Sequence, residues 1–207
     1  TKQGFNAEIL SFSRPLTVDL DYCIECDVDA VNLVVPTSDL HIKDKLNTTK
    51  DNLIDLSNAA IDYCKDHGLI VELSAEDASR SDLDFLKSVY LNAIDHNVDR
   101  LCVCDTVGIL TPDSSYNLFN ELSDLSIPIS CHCHNDFGLA VANTLSAIKG
   151  GASEIHTTIN GIGERAGNTS FEECVVSIDR LFSDFSTNIK ISEIYDISKL
   201  VARSTGV

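Results

Sequence analysis

The 207 residues contain no methionine, not even at the first position, which is Thr1. A chain that starts on threonine and uses no methionine is expected to be a segment of a longer protein. Basic residues are scarce: 15 Lys and Arg stand against 32 Asp and Glu, a formal charge of −17. That deficit argues against nucleic acid and against an anionic membrane as partners. The excess acid suits solubility or a salt-adapted surface. Long apolar runs are missing: none approaches the eighteen or so residues of a membrane span, and the first residues carry no signal-peptide pattern. Phosphate-binding glycine motifs are missing too. Neither GxGxxG nor GxxxxGK[ST] occurs, and in Gly161-Ile-Gly163-Glu-Arg-Ala-Gly167 the third glycine falls one residue late for a dinucleotide fingerprint.

Cysteine, by contrast, is plentiful, with 8 in the chain. Cys102, Cys104, Cys131 and Cys133 sit inside apolar, strand-like runs, where a reduced cysteine behaves as a small hydrophobe. Reduced thiols imply a reducing compartment, so a cytoplasmic location is expected. The length suits one domain with a large core.

Apolar periodicity alternates between two types along the whole chain. Short valine-, leucine- and isoleucine-rich runs predict strands over 7–13, 30–35, 69–73, 101–104, 127–132 and 154–159. Helical spacing predicts helices over 18–26, 53–64, 83–93, 112–125, 139–148, 171–182 and 191–201. Gly68 stops the second helix, Ser81 is a plausible cap for the third, and Pro112 opens the fourth. Strands with continuous apolar runs joined by helices imply a parallel sheet covered by helices. Polar residues recur where each strand ends: Arg14, Ser38 and His41, Glu76 and Asp77, Asp105 and Thr106, His132 and His134, and 160–168. An open sheet gathers its site at one switch point, whereas a barrel collects it from many strand ends. The expected fold is therefore an incomplete TIM (β/α)8 barrel.

The centre of the chemistry is 129–168. His132 and His134 are two apart at the end of an apolar strand, so both imidazoles face one way and converge on a single point, as a divalent ion requires. A four-ligand Cys131-His-Cys-His134 knuckle is disfavoured, because adjacent strand residues face opposite ways. Glu72, Ser74 and Glu76 share a face by the same rule. Asp77 has Arg80 as an alternative partner, Asp105 reads as structural, and His67 and His96 read as cations at helix C-termini or as plain surface, with no role in the site.

Four ordered stretches carry a resemblance: Leu73-Ser-Ala-Glu-Asp77, Asp105-Thr-Val-Gly108, His132-Cys-His-Asn-Asp-Phe-Gly-Leu-Ala140 with Asn143, and Asn160-Gly-Ile-Gly-Glu-Arg-Ala-Gly-Asn168. Together they resemble the 2-isopropylmalate, homocitrate and citramalate synthases of the DRE-TIM metallolyase superfamily. The segment Pro36-Thr-Ser-Asp-Leu-His-Ile-Lys43 looks like the archaeal branch. The resemblance implies a barrel whose third to eighth units are present, with 1–190 as partial catalytic barrel and 191–207 as the start of a C-terminal helical linker. It also implies elements outside the chain. One is an Arg-Asp-Gly motif whose Asp is a metal ligand; another is a C-terminal subdomain that lends catalytic residues across a homodimer. The chain alone is then expected to be inactive.

The implied reaction condenses acetyl-CoA with a 2-oxo acid and then hydrolyses the thioester. It needs a divalent metal ion (Zn, Mn or Mg) to stabilise negative charge on the keto oxygen. By resemblance His132, His134 and Asn168 are metal ligands; Asn168 reads equally well as a helix N-cap before Ser170. Glu76 and Thr106 are implied as catalytic contacts to the oxo acid. Glu72, Ser74, Ser38, His41 and Phe12 are candidates on the substrate side. Related lyases that cleave hydroxymethylglutaryl-CoA carry a cysteine in the loop where Glu164 and Arg165 stand here, so a synthase is favoured over a lyase; a non-catalytic barrel stays an alternative, which an Arg-Asp-Gly motif upstream in the parent gene would defeat. A biotin-linked carboxyltransferase would want a lysine at a mid-barrel strand end, and none is there. Phe12 and Glu72 offer nothing to a distal carboxylate, so an apolar acceptor is expected. That reading leads with 2-oxoisovalerate and 2-isopropylmalate synthesis, with citramalate or homocitrate synthesis as alternatives.

Overall fold

In the computed structural model, which describes residue 4 and residues 6–207, strands and helices alternate as the periodicity predicts. The strands are β1 (Leu10–Ser13), β2 (Ala30–Pro36), β3 (Ile70–Glu76), β4 (Arg100–Asp105), β5 (Ile129–Cys133) and β6 (Glu154–His156). The helices are α1 (Thr17–Glu25), α2 (Lys50–Asp66), α3 (Leu83–Asp95), α4 (Pro112–Leu122), α5 (Ala140–Gly150), α6 (Phe171–Leu181) and α7 (Ile194–Thr205). The strands are hydrogen-bonded in chain order, β1-β2-β3-β4-β5-β6. A doubly wound sheet reverses order at its switch point; this one never does. No helix among the described residues is long and apolar enough to cross a membrane.

The chain divides into two compact units, Thr1–Cys104 with Leu125–Ser130, and Asp105–Asp124 with Cys131–Val207. In the first, β1 to β4 are parallel, in a register that sets Asn32 beside Glu72 and Glu72 beside Arg100. Odd-numbered Val31, Leu33, Val35, Val71, Leu73, Leu101 and Val103 form a buried apolar layer. The even-numbered side is polar: the Glu72 carboxylate accepts from Asn32 Nδ2 (2.8 Å), Arg100 Nε (3.1 Å) and Ser130 Oγ (3.1 Å). Residues on both sides of β2, β3 and β4 are largely closed to water, as a covered parallel sheet requires, whereas Leu10 and Phe12 on β1 are exposed.

Helix α3 is capped by Asp82, whose carboxylate accepts from Phe85 N at 2.9 Å, and not by Ser81. The Ser81 hydroxyl is engaged elsewhere, with Thr37 Oγ1 at 2.6 Å and the Asp77 carbonyl at 3.0 Å. Between β2 and α2 the chain makes a five-residue π-helical turn, His41–Lys45.

In the second unit, Thr111 and Ser114 cap α4 reciprocally, with Pro112 in its first turn. Helix α4 ends at Leu122, short of the predicted 125, and a 3₁₀ turn follows. Asn143 on α5 donates to the Leu110 carbonyl at 2.7 Å, and Ser115 on α4 donates to the Asn143 carbonyl at 2.8 Å. Strand β6 stops at His156, three residues earlier than predicted. Ile159–Gly161 turns instead, with Asn160 left-handed at φ 62°.

Candidate metal centre

Strand β5 sorts its chemistry by pleat. Cys131 and Cys133 are buried on one side, with Sγ atoms 3.4 Å apart. His132 and His134 share the other, with Nε2 atoms 3.2 Å apart. Thiols and imidazoles therefore cannot join in one knuckle. Asn168 reaches the same point: its Nδ2 lies 3.2 Å from His132 Nε2, and a backbone bridge ties it to His134. Helix α6 is capped by Ser170, not by Asn168.

The loop that delivers Asn168 is wound tightly. Asn168 N donates to the Gly161 carbonyl at 3.1 Å. A Cβ on Gly167, which is left-handed at φ +99°, would lie 2.2 Å from that same carbonyl oxygen. A Cβ on Gly163 would lie 1.7 Å from Asn168 Oδ1. Glycine at 163 is what leaves room for the carboxamide.

These donors fit a divalent cation. Two nitrogens at about 2.0–2.1 Å from one ion, at angles between square and tetrahedral, are roughly 2.8–3.4 Å apart; the two Nε2 atoms are 3.2 Å apart. A half-turn of the Asn168 amide exchanges its nitrogen for an oxygen donor.

Two further groups surround the pair. His132 Nδ1 lies 3.3 Å from Nδ1 of His156, at the end of β6. Arg165 binds Asp136 through Nε (2.7 Å) and one terminal nitrogen (2.8 Å), and the same nitrogen meets the Thr106 carbonyl (2.8 Å) and His134 Nδ1 (2.9 Å). The paired guanidinium holds the Asp136 carboxyl below the usual carboxylate range. Burial first, then the Arg165 charge, lowers the pKa of His134 below the usual histidine value. Asp105, fully buried, accepts from the backbone of Ile109 and Leu110, the structural place expected for it.

In the first unit the ends of β2 and β3 carry a separate cluster. Lys45 Nζ contacts both Glu76 oxygens (2.7 and 2.8 Å). His41 Nδ1 lies 3.2 Å from Glu76 Oε1, within ion-pair range though outside hydrogen-bond geometry. Asp77, fully buried, pairs with Arg80 (2.7 Å) and accepts from Ser38 Oγ (2.5 Å). Ser74 is buried on β3, and Phe12 on β1 is 71% exposed.

The geometry brings His132, His134 and Asn168 together, and it groups Ser38, His41 and Glu76. Glu72, a candidate on the substrate side, is 1% exposed, and its carboxylate is engaged by three donors from β2, β4 and β5. His156 and Lys45 were missed. A lone histidine ending a short strand was the only signal for the first. His67 and His96 lie at the C-terminal ends of α2 and α3, as expected.

Comparison with known proteins bears on this site. A family model described as HMGL-like matches residues 1–201. The (R)-citramalate synthase of Methanocaldococcus jannaschii is 53% identical over 204 residues, 98% of this chain and 41% of that protein. The 2-isopropylmalate synthase of the same archaeon is 47% identical over 205 residues, 99% of this chain and 39% of that protein. The chain thus spans about two fifths of the length of the curated relatives it matches. A hydroxymethylglutaryl-CoA lyase structure from Pseudomonas aeruginosa superposes with a TM-score of 0.84 at 15% identity, over 96% of this chain and 70% of that one. At that identity the likeness concerns fold alone: the chain is an incomplete (β/α)8 barrel.

Proposed function

The chain belongs to the HMGL-like family, and on that premise we propose that the protein condenses acetyl-CoA with a 2-oxo acid, pyruvate being the acceptor, to give citramalate and free CoA. In this reaction the acetyl methyl loses a proton and bonds to the keto carbon; water then cleaves the thioester. The observation that carries the reading is the convergence of His132 Nε2, His134 Nε2 and Asn168 on one point. A divalent cation held by those three residues would act as a Lewis acid toward the keto oxygen.

The remaining roles belong to the chain's own side chains. Glu76 and Thr106 contact the oxo acid, Thr106 through its hydroxyl to the substrate carboxylate. Lys45 fixes Glu76. Arg165, bonded to the Thr106 carbonyl, fixes that turn. Ser38, His41, Ser74 and Phe12 are assigned to the substrate side. Pyruvate replaces 2-oxoisovalerate as the leading acceptor because identity to the citramalate synthase, 53%, exceeds that to the isopropylmalate synthase, 47%. The two acids differ by apolar bulk, which a pocket discriminates by only about 1–3 kcal/mol per methylene. A homodimer and a cytoplasmic location complete the reading.

The test is CoA release by the full-length protein, followed with a thiol reagent, as pyruvate, 2-oxoisovalerate and 2-oxoglutarate are offered in turn with divalent metal. Release with pyruvate, abolished by His132→Ala, is the expected result. Release with 2-oxoisovalerate alone returns the assignment to isopropylmalate synthesis; no release with any of them sinks the synthase reading.

A further inference from the structure

The hydrogen bonds around the histidine pair have a forced direction. A guanidinium nitrogen donates and never accepts. At 2.9 Å from Arg165, His134 Nδ1 must therefore present its lone pair. A neutral imidazole with a bare Nδ1 carries its proton on Nε2. That proton points at His132 Nε2, 3.2 Å away, which also faces Asn168 Nδ2 at 3.2 Å. His132 Nε2 is then the acceptor, and His132 keeps its own proton on Nδ1, facing His156 Nδ1 at 3.3 Å. The four contacts form one ordered relay, from Arg165 through His134 and His132 to His156.

The relay treats the two histidines oppositely. A metal ligand needs a bare nitrogen, and its other ring nitrogen donates to an outer partner. His132 satisfies both conditions: Nε2 is bare, and His156 receives the Nδ1 proton. His134 satisfies neither while Arg165 occupies its Nδ1. Coordination through His134 Nε2 moves the proton to Nδ1, directly against a cation.

We propose that Arg165 and His156 are opposed positioning residues, His156 preparing His132 for the metal and Arg165 competing with the metal for His134. The inference rests on the reading of this site as a metal centre. Arg165 can yield the contact at small cost. One terminal nitrogen with two hydrogens faces three acceptors, and the bonds to Asp136 survive when His134 turns away.

The test is a Zn²⁺ titration of the metal-stripped full-length protein against a chromophoric chelator, with thermal melts to check folding. Arg165→Gln removes the cation and supplies an acceptor for an Nδ1 proton, so its Kd should fall about tenfold. His156→Ala should raise Kd about tenfold or more, the usual cost of losing an outer-sphere partner, and His156→Gln should recover most of it. A loop residue of merely structural importance would do the reverse at 165: weaker binding, or no change, for Arg165→Gln overturns the proposal. Nitrogen-15 NMR of the stripped wild type gives a readout independent of the variants. His134 protonated on Nε2 is expected, and protonation on Nδ1 overturns the proposal. Failure of the wild type to take up Zn²⁺ would instead remove the metal centre itself.

Discussion

Glu72→Ala is expected to unfold the protein far more readily than it impairs substrate binding. The carboxylate is 1% exposed and is the shared acceptor for Asn32 on β2, Arg100 on β4 and Ser130 on β5. Its removal strips a charged partner from Arg100, whose side chain is only 17% exposed and which keeps Glu8 as its other ion-pair partner. Breaking a buried pair by deleting one partner costs about 3–5 kcal/mol. Against a typical total of about 5–15 kcal/mol, that is a large share of the stability. Glu72→Gln keeps an acceptor for one donor but sets an amide against the others, so about 1.5–3 kcal/mol is expected, the worth of a hydrogen bond to a charged group. Urea unfolding followed by far-UV circular dichroism measures both. The order Ala worse than Gln worse than wild type supports the structural role. A Glu72→Ala loss below about 1 kcal/mol, together with a raised KM for the oxo acid, would refute the reasoning and restore Glu72 to the substrate pocket.

Gly163→Ala drives a methyl to within 1.7 Å of Asn168 Oδ1, so the carboxamide must leave its place beside His132; metal Kd should rise about tenfold or more, and an unchanged Kd would show that Asn168 is no ligand. Burial pushes the thiols of Cys64 and Cys174 up to about 11 from 9.0, with smaller contributions from Cys23 and Cys133 respectively. A raised folded value means that the unfolded chain loses its protons first. The stabilisation is therefore complete below pH 9 and lost as pH rises towards 11, at up to about 1.4 kcal/mol per pH unit for each thiol. Cys64→Ala should make the alkaline fall in unfolding free energy shallower over pH 9–11, and equal slopes in variant and wild type would contradict it.

The order of strands and helices was legible because each strand is a short apolar run and each helix a 3.6-residue pattern, and both signals are local. Partners were not legible, because they are set by register. Asn32, Glu72 and Arg100 are neighbours only after β2, β3 and β4 align in parallel, 40 and 28 residues apart in sequence. Caps failed for a related reason. Ser81 and Asp82 are both good caps, and the choice falls to Asp82 because Thr37, from another strand end, engages the Ser81 hydroxyl. Asn168 likewise yields the α6 cap to Ser170 and faces His132 instead.

The same pleat rule served β5 and misled at β3, and the difference lies in depth along the strand. Period-two alternation identifies which residues share a face, and it separated His132 and His134 from Cys131 and Cys133. It also placed Glu72, Ser74 and Glu76 on one face, but it says nothing of how far each lies from the strand end. Glu72 is the third residue of β3 and Glu76 its last. Four residues at about 3.3 Å of rise put roughly 13 Å between them. That is the distance between a carboxylate closed among three donors and one 15% exposed beside Lys45 and His41. Face is written in the sequence; depth depends on where the strand stops. The polar residues of a barrel strand should therefore be assigned to chemistry only within its last two or three positions or at the first residue beyond it, which here retains Glu76, Thr106, His132 and His134 and sets Glu72 aside.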